Sequence, residues 1–277
     1  MKLTRRIAGL VLASAAAIAL ASPASAQSTS QALSTESVIE SIKEDGVITI
    51  GLSLFTPWSM RDLNGELIGF ELDVGRKLAA DMGVEVEFVP TAWDGIIPAL
   101  VARKFDVIIS GMSITAQRNL TVAFSAPYAF GEQTLLANTA MTEGFTKEDY
   151  NNPDVILAVR RGTTSAVTIE KAFPNATLLQ FDEQSAVTQE VLNGNAHALM
   201  TSEPVPSETV RRYPDTVNIP FEESFMSEGT AFAFRKGDPD AENFFNNWIG
   251  LNTRTGWLQE RHNYWFTGDE WHDMVPE

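Results

Sequence analysis

Apolar residues along this chain change their period from one stretch to the next, and each change marks an element. Over 70–82, Leu72, Val74, Leu78, Ala79 and Met82 recur at near-helical spacing, and Gly83 follows where a left-handed cap ends a helix. Val84, Val86 and Phe88 then alternate with Glu85 and Glu87, the period of a strand with one exposed face. Residues 93–104 return to a helical pattern, and 107–110 is a short β-branched run of the kind that makes a buried parallel strand. Upstream, 34–44 predicts a helix ending at Gly46, and 47–51 predicts a strand. The piece between, with Phe55, Pro57 and Trp58, is irregular as far as the turn at Asn64-Gly65. The order is β-α-β-α-β, which predicts a parallel sheet with right-handed crossovers.

At 123–138 the alternation breaks. This stretch holds a proline, a glycine and a strand-like tail, as a connection between domains does. Residues 141–153 are polar and predict a surface excursion. A second α/β series follows, with strands at 156–159, 177–180 and 198–200 and helices at 164–173 and 185–193. The chain returns to strand at 230–235 and to helix at 241–252, and closes on an aromatic helical segment at 256–266.

Two stretches share one device. In DVIISGMSITAQR (106–118) a buried strand runs into Gly111, Ser113 and Thr115, and Thr115 can cap a helix that carries Arg118. In RRGTTS (160–165) a strand again runs into glycine and hydroxyl residues and opens a helix. Strand ends that open helices are where open α/β sheets bind ligands, and helix N-termini favour anionic groups. For the first segment alone, a plain strand–loop–helix turn with a surface arginine accounts equally well for the pattern.

The N-terminus adds a leader. Lys2, Arg5 and Arg6 precede an apolar stretch at 7–21, and Ala24-Ser25-Ala26 forms a small-residue cleavage site, so 1–26 reads as a signal peptide. Removing those three basic residues takes the net charge from −16 to −19. A chain this acidic is repelled by phosphate backbones, which excludes nucleic acid as a partner. With no cysteine, a disulfide framework, a thiolate nucleophile and a thiolate-ligated metal are all excluded. There is no GxSxG elbow, no HExxH and no phosphate loop. His262 and His272 lie too far apart for one helix face and read as structural. No catalytic residue, metal or cofactor is expected.

The residues that remain suit capture of a small zwitterion. Arg118 can fork onto a carboxylate, helped by Ser113 and by the N–H groups at the helix starts near Thr115 and Thr164. Phe55, Trp58 and Trp93 sit beside the ends of the first-half strands, where an aromatic either flanks an organic ligand or packs the core. Core packing is the reading for Trp58, Trp248, Trp257, Trp265 and Trp271.

The order GVITIG, FTPW, GFELDVGRKLA, AWDGIIPAL, KFDVIISGMSIT-AQR and FSAPY resembles the periplasmic solute-binding proteins of polar amino acid ABC transporters (bacterial extracellular solute-binding proteins, family 3). The likeness is dense over 47–128 and looser afterwards, where RRGTTS and FAFRKGDP are the clearest echoes. It implies an α/β, two-lobe periplasmic-binding-protein fold, each lobe a mainly parallel sheet flanked by helices and joined by two crossover strands. Lobe one would be 34–130 plus 229–277, and lobe two 131–228. It further implies a periplasmic, monomeric, non-enzymatic protein that closes by a hinge on an amino acid or derivative and delivers it to a membrane permease. An alternative is a dehydratase-like enzyme on the same fold.

By the same resemblance Phe55 and Trp93 flank the ligand. Ser110, Gly111 and Ser113 meet its α-amino and α-carboxylate groups, and Arg118, Thr163 and Thr164 hold the carboxylate. In one place the chain departs from the family. Where the family carries an aspartate for the ligand ammonium, HALMTSEPVP puts Ser202, with Glu203 next to it. Leu52 stands where basic-amino-acid binders carry an acidic partner, which weighs against lysine and arginine.

Overall fold

The computed structural model describes residues 37–275; the leader at 1–26 lies outside them. Helix α1 (Val38–Asp45) starts at Ser37, whose hydroxyl accepts the Ile39 N–H, and ends at Gly46 with φ 70°. That left-handed cap suits glycine because it has no Cβ to clash. Strand β1 (Val47–Leu52) follows, then a short hairpin, β2 (Met60–Arg61) and β3 (Leu67–Ile68), around the Asn64-Gly65 turn. Helix α2 (Phe70–Met82), β4 (Glu85–Pro90), α3 (Ile96–Val101), β5 (Val107–Ile108) and α4 (Ala116–Asn119) complete the first series. The helix expected over 93–104 is split. Trp93–Gly95 is a 3₁₀ turn, and the α-helix runs only to Val101.

Strand β6 (Ala123–Asn138) turns the expected connection into a single 16-residue strand. The second series is β7 (Ile156–Arg160), α5 (Thr164–Ala172), β8 (Thr177–Phe181), α6 (Gln184–Leu192), β9 (Ala198–Ser202), α7 (Val205–Arg212) and β10 (Val217–Asn218). The chain returns through β11 (Met226–Phe234) to α8 (Pro239–Arg254) and α9 (Trp257–Phe266).

All strands but the β2–β3 hairpin join one sheet in the order β4-β1-β5-β11-β6-β9-β7-β8, with β10 on β6. β1 pairs parallel with β4 and β5, and β7 parallel with β8 and β9. Between the two parallel sets, β11 and β6 run antiparallel to each other. β11 is hydrogen-bonded to β5 on its outer side, and the far end of β6 to β9. These are the two crossover strands of a two-lobe periplasmic-binding-protein fold. Each parallel set is sandwiched by two apolar clusters. Ile48, Ile50, Phe70 and Phe232 pack on one face of the first set, and Leu100, Phe105 and Ile108 on the other. Leu157, Val159, Ile169 and Met200 do the same for the second set, opposite Leu136, Ala158 and Leu199.

Trp58, Trp248, Trp265 and Trp271 are buried, and Trp58 meets Phe266 edge-on at 4.7 Å. His262 stacks on Phe266 at 4.1 Å and its pKa is lowered by burial. The excursion at 141–153 is corrected in one respect. It drives Tyr150 fully into the second core against Phe145, Phe173 and Phe221, so the polar residues around it form a cover over one aromatic anchor.

Candidate functional site

A cavity of about 470 Å³, its open mouth included, lies where the C-terminal ends of the two parallel sets face each other. From the first set its wall takes Ser53 and Phe55 after β1, Trp93 after β4, and Ser110, Gly111 and Ser113 after β5. From the second it takes Arg160, Thr163, Thr164 and Ser165 at the β7–α5 turn, Gln184 at the start of α6, and Thr201 and Ser202 at the end of β9. Glu228 reaches it from β11. This is the crevice beyond the carboxyl ends of the strands that parallel sheets leave for ligands.

Eight of the ten residues singled out by sequence therefore share one wall, and two stand off it. Arg118 lies just behind. Thr115 caps its turn by accepting the Arg118 N–H at 3.1 Å, and the guanidinium carbon sits 5.2 Å from the Trp93 ring centre. Its Nη1 donates to the Ser113 carbonyl at 2.9 Å and its Nη2 to the Gly162 carbonyl at 3.2 Å. Burial lowers the Arg118 pKa, and the negative charge of Glu228 works against that. Glu203 is turned away. One residue beyond Ser202 the side chain points along the chain, and its carboxylate accepts the Ser207 N–H at the start of α7.

On the wall, the Ser110 hydroxyl accepts the Ser53 N–H at 2.7 Å. Gly111 has φ 54°, and its N–H goes inward to the Glu71 carboxyl group rather than into the cavity. Thr163 caps α5 by accepting the Ala166 N–H, and its hydroxyl donates to the Arg160 carbonyl. The Thr164 hydroxyl donates to Glu228 Oε1 at 2.8 Å, and Gln133 Nε2 donates to the same oxygen at 3.1 Å. Gln184 Oε1 accepts the Thr201 hydroxyl, while its Nε2 makes no hydrogen bond within the protein.

Four hydrogen bonds cross directly from one set to the other. Trp93 Nε1 and Arg118 Nη2 both donate to the Gly162 carbonyl, while Arg160 donates through Nη2 to the Ser53 hydroxyl at 2.7 Å and through Nη1 to the Leu54 carbonyl at 3.4 Å. Sequence reasoning missed Ser53, Arg160, Ser165, Gln184, Thr201 and Glu228 on this wall. Arg160 and Ser165 stood inside a motif already singled out; Glu228 sits in a strand whose facing side the sequence does not reveal.

The family model for bacterial extracellular solute-binding proteins, family 3, matches residues 48–268. The chain belongs to this family. It is 27% identical over 236 residues to the L-cystine-binding protein TcyJ of Escherichia coli K12, covering 84% of this chain and 88% of that one. It is 25% identical over 232 residues to a cyclohexadienyl dehydratase of Pseudomonas aeruginosa, covering 83% and 86%. Among solved structures, an ancestral amino acid-binding protein described as a precursor of cyclohexadienyl dehydratase superposes with a TM-score of 0.76 at 37% identity, covering 83% of this chain and 99% of that one. Among the described residues, no helix is long and apolar enough to cross a membrane, and there is no cluster of potential metal ligands.

Proposed function

We propose that this family 3 protein captures a small carboxylate-bearing solute, an amino acid or derivative, and hands it to the permease of an ABC transporter. In this reading the chain is exported, loses 1–26 as a signal peptide, works in the periplasm as a monomer and has no catalytic activity. Lobe one is 34–130 with 229–277, and lobe two is 131–228. The observation that carries the reading is the meeting of the two strand–hydroxyl–helix devices, Ser110 to Ser113 and Thr163 to Ser165, across one cavity beside Trp93. Arg118 would take the solute carboxylate, exchanging its bond to the Gly162 carbonyl for a charge-assisted one.

A thermal-shift panel of amino acids and dicarboxylates tests this. A solute at about a hundred times its Kd stabilises the protein by ~2.7 kcal/mol, a shift of roughly 5–10 °C for a chain of this size. Arg118→Ala is expected to weaken that solute by on the order of 2–5 kcal/mol, because it strands a carboxylate in a desolvated cleft. Unchanged affinity would sink the assignment. The dehydratase relative supports a second reading, since Glu228 puts a carboxylate on the cavity wall; turnover of prephenate by the purified protein would favour it.

A further inference from the structure

Arg160 is a cation enclosed in the cleft wall without a counter-ion beside it. It is 4% exposed, yet among the described residues no carboxylate comes within ion-pair distance. Its hydrogen bonds go to neutral acceptors: Nε to the Asp182 carbonyl at 3.0 Å, Nη1 to the Leu54 carbonyl at 3.4 Å, and Nη2 to the Ser53 hydroxyl. Those three leave two of the five guanidinium N–H groups unspent. The guanidinium carbon lies 5.6 Å from the Trp93 ring centre, the same ring that carries Arg118. Asp94, Asp182 and Glu183 act on Arg160 only from a distance, and all three are exposed, where water screens them.

Charge decides what such a wall accepts. Arg160 and Glu228 line the cavity, and Arg118 stands directly behind it. Two cations and one anion leave one positive charge in a largely desolvated space, where an uncompensated charge is costly. A neutral amino acid leaves that imbalance as it is, and lysine or arginine doubles it. A solute with two carboxylates and one ammonium cancels it.

We propose that Arg160 is a second anion-binding group, and that the cleft selects a zwitterion carrying two carboxylates: an acidic amino acid or an N-carboxyalkyl amino acid. One carboxylate pairs with Arg118 and the other with Arg160. The ammonium pairs with Glu228, which supplies from β11 the acceptor that Ser202 does not. Thr164 and Gln133 hold Glu228 Oε1, fixing the carboxylate on the wall. This inference rests on the cavity being a solute site.

Calorimetric titration with matched pairs tests it: L-glutamate against L-glutamine, L-aspartate against L-asparagine, and 2,2′-iminodipropionate against L-alanine, with L-lysine and L-arginine alongside. In the unmodified protein the dicarboxylate of at least one pair should bind about tenfold or more tighter than its neutral partner, the scale of one charge-assisted bond. Arg160→Gln should reduce that preference to within about threefold, and Arg160→Lys should keep part of it. The preference in the unmodified protein is read without any variant, so a poorly folding Arg160→Gln does not leave the question open. If glutamine, alanine or a basic amino acid binds as tightly as the dicarboxylates, the role of Arg160 is overturned while the solute-binding reading stands. If none of the probes binds, this inference falls, and the wider thermal-shift panel decides separately whether the amino acid reading beneath it stands.

Discussion

Glu71 is a carboxyl group inside the first core, and its chemistry reaches the cavity through one residue. Its Oε1 accepts the Tyr128 hydroxyl at 2.6 Å and the Gly111 N–H, while Oε2 has no partner within the protein. Burial raises its pKa from 4.5 to about 8, outweighing the two hydrogen bonds that act in the opposite direction. The folded protein therefore holds a proton here that the unfolded chain gives up near pH 4.5. Stability from this group is undiminished below pH 4.5, declines as pH rises from there to about 8, and levels off beyond. At ~1.36 kcal/mol per pH unit the decline is bounded at ~5 kcal/mol. Urea titrations at pH 5, 7 and 9 should show Glu71→Gln flattening that slope, and parallel slopes in both proteins would refute it. Little of this was legible in sequence. Glu71 sits one residue into an amphipathic helix like any surface acid, and only its burial against the Gly111 turn and Tyr128 of β6 reveals it. Arg160 and Glu228 were hidden for the same reason: their types were plain, but which way they faced depended on strands from distant parts of the chain. Arg118, Thr115 and the hydroxyl turns were legible because the cap and the strand end are local.

At the scale of elements, the helical and alternating periods read from sequence place most helices and strands correctly, because each buries one face against a sheet. Long-range pairing was harder. β5 is only two residues of regular strand, held because β1 and β11 flank it. β6 looked like a connection because Pro127 and Gly131 interrupt its pattern, yet it is paired along its length by β11 and then by β9. β1 depends on one close approach. A Cβ at Gly51 would fall inside contact distance of three atoms of the Phe105 ring, and Phe105 is 2% exposed. Gly51→Ala gains ~0.5–1 kcal/mol of backbone entropy but overpacks the core by ~1–3 kcal/mol. The clash wins. Urea unfolding should find the variant destabilised by about 1–2 kcal/mol, and a stabilised variant would show that Phe105 moves aside freely.

Across the whole molecule, the two parallel sets touch through Trp93, Arg118 and Arg160, with protein groups accepting every bond. Each such hydrogen bond is worth a net ~0.5–1.5 kcal/mol, so together they supply a few kcal/mol toward closure before any solute arrives. A ligand that had to carry the equilibrium from 1:99 to 99:1 alone would need ~5.5 kcal/mol of preference for the closed form. Here the contacts across the cleft share that work, and the solute-free protein should already contain a closed fraction. The absence of cysteine makes this directly measurable. Val101 at the end of α3 and Val167 in α5 are 53% and 63% exposed, one on each side of the cleft. Spin labels on Val101→Cys/Val167→Cys should give two distance populations without solute and one, the closed one, at saturation. Adding Ser53→Ala removes the hydroxyl that accepts from Arg160 and should deplete the closed population in the solute-free sample. A single solute-free distance, unmoved by a solute that calorimetry shows to bind, would mean that capture proceeds without a hinge.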